Sequence, residues 1–294
     1  MRPFGIESEY ASNTRPLIAA LHEQGYASTD NLHRYHCTCD NCDHGNSYPW
    51  KAQTDSTVDG EIISHIFTDW DDAEAAVEAL CATARDVGAT SSASTGVHVH
   101  VAKHGTIPQE VALAYFLTER FFTEIVAPGS SRAKREMNTT LLQATRSYIA
   151  QWGSIDEYRR GNGPAWFVLT SAIEQDRHVD LNISTTLPTF EFRTFNGTLA
   201  GWRMMLAARM SVALVETARQ IISLSLEATD MSLDEILTVG LTSTFPTKRP
   251  LITLQQFVDV LCGHDPAIRP LIDRQTAYMR FRYRREVPAP ADVE

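Results

Sequence analysis

Two stretches, TGVHVHV (95–101) and TFEFRTF (189–195), constrain this chain more than any other feature of it. In both, apolar and chemically reactive residues alternate. A period of two is that of a β-strand, whose successive side chains point to opposite faces of a sheet. One face of each run is apolar and can be buried. The other carries His98 and His100, or Glu191 and Arg193, where an ordinary strand would carry Thr, Ser or Lys. Residues two apart on a strand lie roughly 7 Å from each other, so each run presents its reactive pair side by side.

Other runs repeat the pattern. PFGIESEY puts Gly5, Glu7 and Glu9 on one side, with Phe4, Ile6 and Tyr10 on the other. HVDLNIS pairs Asp180 with Asn182 and turns Leu181 and Ile183 away. WKAQTDST and GEIISHIF read as two strands joined by a turn at Asp59-Gly60, with Asp55 and Glu61 on either side of it. Between the strands lie helical segments. PLIAALHEQG closes near Gly25; WDDAEAAVEALCATARDVG has acids in its first turn and Gly88 as its stop; Pro108 opens a helix through VALAYFLTERFFTEIVA. The basic connection GSSRAKREMN leads to a further helical stretch, a long helix begins at Trp202, and the chain stays mainly helical to RFRYRR.

This order predicts an α+β fold: a mainly antiparallel sheet, helices on one face, and a helical C-terminal third. The expectation is one domain over 1–285, with a Cys/His loop inserted at 33–44, a helical lobe at 201–285 and a frayed tail from 286.

The formal charge of −10 argues against binding polymeric nucleic acid, which needs a basic face. No apolar run approaches the roughly 20 residues that span a bilayer. The N-terminus carries no signal-peptide pattern, so a cytoplasmic location is expected. Cys81 and Cys262, set among apolar residues at helical spacing, read as small core hydrophobes.

Taken singly, each reactive pair has an ordinary explanation. Glu-x-Glu is usually a solvated face, His-x-His a tolerated polar pair, and Glu-x-Arg a surface ion pair. In one sheet, however, the faces merge into a surface of carboxylate and imidazole. Like charges so close repel unless cations neutralise them. A hard divalent ion with phosphate oxygens meets that need, and arginine supplies a fork that matches phosphate.

FGIESEY, TDSTVDGEIIS, TGVHVHV and RHVDLNISTTLPTFEFRTFNGTL resemble, in order and spacing, the amidoligase family. These are ATP-dependent carboxylate–amine ligases of the glutamine synthetase and glutamate–cysteine ligase superfamily. The resemblance covers residues 4 to about 202 and implies a glutamine synthetase-like sheet. It implies that Glu7, Glu9, Glu61, His98 and Glu191 are ligands or near-ligands of two or more Mg²⁺ ions holding ATP phosphates. His100 would contact nucleotide phosphates or substrate, and Arg193 would neutralise the transferred γ-phosphate. Asn182 and Asp55 are implied substrate or supporting positions, with Arg132, Arg135 and Arg177 as further anion-binding candidates. The implied reaction passes through an acyl phosphate that a small-molecule or peptide amine attacks; an oligomer is compatible with it.

HRYHCTCDNCDH stands apart. Cys37, Cys39 and Cys42, with His33, His36 or His44 as a fourth ligand, make a donor set for a structural Zn²⁺ staple; a reduced, exposed cysteine cluster is the alternative. Met204, Met205, Met210, Val212 and Leu214 read as a core stripe, and RFRYRR as a solvated or subunit-contacting helix end. Two other function classes compete. A metal-dependent hydrolase can use His-x-His, but expects it near the first strand. A non-catalytic binding protein would have no need to keep so costly a cluster of like charges.

Overall fold

The computed structural model describes residues 1–34, 48–92, 94–126, 180–183, 187–228 and 252–286. The strands are β1 (Phe4–Tyr10), β2 (Ala27–His33), β3 (Trp50–Gln53), β4 (Gly60–Ser64), β5 (Gly96–Ala102), β6 (Leu181–Asn182) and β7 (Thr189–Asn196). They form one seven-stranded sheet in the order β2-β3-β4-β1-β5-β7-β6. Every neighbouring pair is antiparallel except β2 and β3. The helices are α1 (Thr14–Glu23), α2 (Trp70–Asp86), α3 (Pro108–Val126), α4 (Gly201–Glu227), α5 (Leu254–His264) and α6 (Ile268–Glu286). The chain is therefore α+β, as its alternating runs predict.

The alternation decides which face is covered. Phe4, Ile6 and Tyr10 of β1, Trp50 and Ala52 of β3, Ile62 of β4, Val97, Val99 and Val101 of β5, and Phe190 and Phe192 of β7 are all buried. Over them pack α1 against β2, β3 and β4, α3 against β7, and α4 against β5 and β1. Trp50 also donates its indole N–H to the Ala76 carbonyl of α2 at 3.1 Å. The core continues without a break from Phe4 to Ile272, so the C-terminal helices share it. The methionine stripe of α4 is buried in that core, as its spacing predicts. No described helix is long and apolar enough to cross a membrane.

Local signals fix the helix ends. Asp69 caps α2 by accepting from the Asp71 and Asp72 N–H groups at 2.9 and 3.1 Å, and Gly88 leaves the helix at φ 69°. Thr253 and Gln256 form a reciprocal capping box on α5.

Three features depart from the sequence reading. ASTDNLH forms β2, an edge strand that its polar centre does not announce. With β3 its one strand neighbour among the described residues and neither face fully buried, no period of two is imposed on it. The turn at Asp59-Gly60 is longer than expected. Residues 54–59 connect β3 to β4, and the Asp59 carboxylate accepts from the Thr14 N–H of α1 at 2.8 Å. Finally, β7 carries a bulge: Val99 pairs with Phe192, but Val97 pairs with Phe195. The extra residue lets Phe195 join Phe190, Phe192 and Thr194 in the core, where the Thr194 hydroxyl meets that of Tyr115 at 2.6 Å. The Cys/His segment (Cys37, Cys39, Cys42, His36, His44), Arg132, Arg135, Arg177, the stretch after GSSRAKREMN and the tail beyond 286 lie outside the described residues.

Candidate functional site

Register brings the reactive faces together. Glu9 of β1 lies opposite Glu61 of β4, and Glu7 lies opposite His98 of β5. His100 lies opposite Glu191 of β7, which in turn lies opposite Asn182 of β6. Five strands far apart in sequence thus place their polar rows on the face away from the helices. That face is enclosed even so: Glu9, Glu61, His98, Asn182 and Glu191 are buried, and Glu7, His100 and Arg193 are half-buried.

His98 sits between two carboxylates, its Nδ1 3.2 Å from Glu7 Oε2 and its Nε2 3.3 Å from Glu9 Oε1. The second oxygen of Glu9 accepts from the Gly96 N–H at 2.6 Å. Glu191 takes a hydrogen bond from Asn182 Nδ2 on Oε2 at 2.8 Å, while its Oε1 is paired with Arg193 Nη1. His100 turns Nδ1 to the Thr189 hydroxyl at 3.3 Å and Nε2 to Glu7 Oε1 at 3.1 Å. That Nε2 is buried against the carboxylate. Asp55, in the β3–β4 connection, accepts from the Thr57 N–H at 2.6 Å and repels Glu61 through space. The Asp180 carbonyl accepts the Arg193 N–H at 2.7 Å and fixes that strand end.

The electrostatics divide the face in two. Burial alone would raise the Glu7 carboxyl, but the His100 and His98 imidazoles outweigh it and hold Glu7 well below the usual carboxylate range. Burial likewise disfavours protonated His100, while Glu7 and then Glu191 push its pKa up. On the β4 side the balance reverses. Burial, followed by repulsion from Glu7, Asp55 and Glu9, pushes Glu61 up to about 8, and the attraction of Arg193 does not offset this.

One grouping suits a cation. Glu7, His100 and Glu191 each offer a ligand atom, and the three atoms lie within 4.8 Å of one another. Two carboxylate oxygens and an imidazole nitrogen form a donor set that a divalent ion can use.

A family model described as "Putative amidoligase enzyme" matches residues 1–215. The chain belongs to the amidoligase family. The matched span runs from β1 into α4 and includes every residue of the cluster. Membership points to a ligase-type activity acting on small molecules. No curated protein matches the chain.

Sequence reasoning did not single out Thr189, Gly96 or Gln53 in this amidoligase. Gln53 is buried opposite Glu61, and adding β3 to the sheet in register would have found it. Thr189 and the Gly96 N–H carry no compositional signal; they become visible only through the oxygen and nitrogen atoms they meet. A separate cavity of about 550 Å³, lined in part by Trp70, Arg209, Glu216 and Asp265, lies away from this cluster. Arg209 there is already paired with Glu74 and Asp265, which suits a structural role.

Proposed function

We propose that this amidoligase uses ATP and Mg²⁺ to join a carboxylate to an amine, on a sheet of the glutamine synthetase type. The observation that carries the reading is the convergence of ligand atoms from Glu7, His100 and Glu191, all within 4.8 Å of one another, beside Arg193. A surface this rich in carboxylate, with Glu61 pushed up to about 8, favours a bound cation.

In this reading Glu7, Glu191 and His100 hold one divalent ion. Glu9, Glu61 and His98 complete its surroundings or hold a second. Bound ions supply charge neutralisation for the ATP phosphates. The guanidinium of Arg193 stabilises charge on the γ-phosphoryl group as a substrate carboxylate attacks it and ADP leaves. An amine then attacks the acyl phosphate at carbon, phosphate departs, and the ammonium proton passes to a carboxylate of the cluster. Asn182 holds Glu191 in place throughout. The sheet's contribution is positioning and electrostatics.

Thermal unfolding with Mg²⁺ and a non-hydrolysable ATP analogue tests this. Ligand at about 100 times its Kd stabilises by about 2.7 kcal/mol, so a clear rise in Tm is expected for the wild type and none for Glu191→Ala. Identical behaviour of the two proteins would overturn the reading. An ADP-release screen over paired carboxylates and amines then identifies the substrates. The Cys/His segment is proposed separately as a structural Zn²⁺ staple; elemental analysis of protein purified without added metal should find about one Zn²⁺ per chain, and a value near zero would remove it.

A further inference from the structure

Lys103 follows β5 directly and belongs to none of the polar rows described above. Its backbone N–H donates to the Pro188 carbonyl at 3.0 Å. Its ammonium donates to the Ile183 carbonyl at 3.1 Å and to the Leu187 carbonyl at 3.0 Å, and stands 5.5 Å from the centroid of the Phe190 ring. These acceptors flank the connection between β6 and β7. One side chain at the end of the His98–His100 strand therefore grips both ends of the hairpin that presents Asn182 and Glu191.

The grip matters because β6 is so short. Two residues, Leu181 and Asn182, make up the whole strand, which ends the sheet among the described residues. Ladder pairing over two positions holds an edge strand weakly. Hydrogen bonds from an ammonium are of the stronger, charge-assisted class. Asn182 Nδ2 reaches Glu191 Oε2 at 2.8 Å only while β6 stays in register.

We propose that Lys103 is a positioning residue: by clamping the β6–β7 connection it keeps Asn182 on Glu191 and so aims the Glu191 carboxylate at a bound cation. The cation part rests on the functional reading above; the clamp itself rests on the hydrogen bonds alone.

The sign of the effect separates positioning from simple electrostatics. Removing a positive charge near a carboxylate cluster would, through space, strengthen cation binding. Loss of positioning weakens it. Groups that orient metal ligands typically matter by about 10–100-fold in affinity.

The test uses Mn²⁺ as the probe, its free concentration read by electron paramagnetic resonance, together with amide hydrogen exchange over residues 181–183. Lys103→Met should weaken Mn²⁺ binding at least about tenfold and speed exchange in β6. Lys103→Arg, which can donate to the same carbonyls, should restore both. Asn182→Ala should weaken Mn²⁺ binding to a similar degree, and the double variant should lose no more than either single one. Unchanged or tighter Mn²⁺ binding by Lys103→Met would overturn the proposal, as would losses that multiply in the double variant. A wild type that binds no Mn²⁺ would instead refute the cation reading. Exchange then decides the clamp: protection of β6 unchanged in Lys103→Met overturns it, and faster exchange upholds it.

Discussion

His100 turns one ring nitrogen to Glu7 Oε1 at 3.1 Å and the other to the Thr189 hydroxyl at 3.3 Å, whereas His98, two residues earlier on the same strand, faces a carboxylate with each ring nitrogen. The two imidazoles therefore do different work. His98 lies between Glu7 and Glu9, and His100 links Glu7 to Thr189; in the proposed reading His100 also lends a nitrogen to the cation. His100→Ala should lower the metal-free Tm, because it removes the main attraction that offsets burial of Glu7, and should weaken the Mg²⁺ response at least about tenfold. His98→Ala should lower the metal-free Tm by several degrees, because Glu7 and Glu9 then lose the imidazole between them. Melting curves with and without Mg²⁺ check both. A His100→Ala variant that keeps the full Mg²⁺ response would remove His100 from the cation site.

Glu61 gives the metal-free protein a pH dependence of definite sign. Its carboxyl is pushed from 4.5 to about 8 by burial and then by Glu7, Asp55 and Glu9. A carboxyl whose folded pKa is raised binds its proton more tightly in the native state, so its contribution is fully present below the unfolded pKa. It falls as pH rises from about 4.5 and is gone above about 8. Glu61→Gln should match the wild type near pH 4 and exceed it by on the order of 2–4 kcal/mol above pH 8. Chemical unfolding at several pH values measures the difference. Saturating Mg²⁺ should shrink it, since a cation removes the repulsion that raises Glu61. A gain independent of pH would show that Glu61 is not the group responsible.

The sequence carried the site further than the fold around it. FGIESEY, GVHVHVA and TFEFRTF announce their strands because one face is buried under helices and the other carries charged and imidazole side chains, and burial of one face is what imposes a period of two. The same condition makes Glu7, Glu9, His98, His100, Glu191 and Arg193 stand out, since catalytic residue types occupy positions where packing does not choose. ASTDNLH lacks that condition and its strand stays hidden. The bulge in β7 is hidden too: TFEFRTF reads as regular alternation, and only the pairing of Phe195 with Val97 reveals the extra residue. Nor does alternation distinguish His98 from His100, because the difference lies in which carboxylate meets which nitrogen.

The polar contact beside the bulge can be tested directly. The hydroxyls of Tyr115 and Thr194 meet at 2.6 Å, and both residues are buried. Tyr115→Phe leaves the Thr194 hydroxyl without that partner, at a cost of about 1–3 kcal/mol. Thr194→Val alone should cost a similar amount by orphaning the phenol. The double variant removes both polar groups and should be clearly more stable than the sum of the single losses predicts. Denaturant unfolding of the four proteins gives the coupling directly. Additive losses would mean that the two hydroxyls do not depend on each other.

Gly197, just past β7, is fixed by close approach rather than by backbone strain. A methyl group there would stand 2.2 Å from Thr95 Oγ1, 3.0 Å from Thr95 Cβ and 3.1 Å from the Thr95 carbonyl carbon. Neither partner can retreat cheaply. The Gly197 N–H donates to the Thr95 carbonyl at 2.9 Å, and Thr95 Oγ1 accepts from the Ser92 N–H and donates to the Ser92 carbonyl, each at 2.9 Å. Gly197→Ala should therefore cost about 1–3 kcal/mol, the range for forcing an added methyl group into packed structure. Thr95→Ala should recover only part of the loss, because Cβ and the backbone carbon remain in the way. The strain also has a path to the site: Thr95 precedes Gly96, whose N–H holds Glu9 Oε2 at 2.6 Å. Gly197→Ala should accordingly lower the Mg²⁺-induced rise in Tm as well as the Tm itself. A variant that loses stability but keeps the full Mg²⁺ response would show that the strain stops at Thr95 and leaves Glu9 in place.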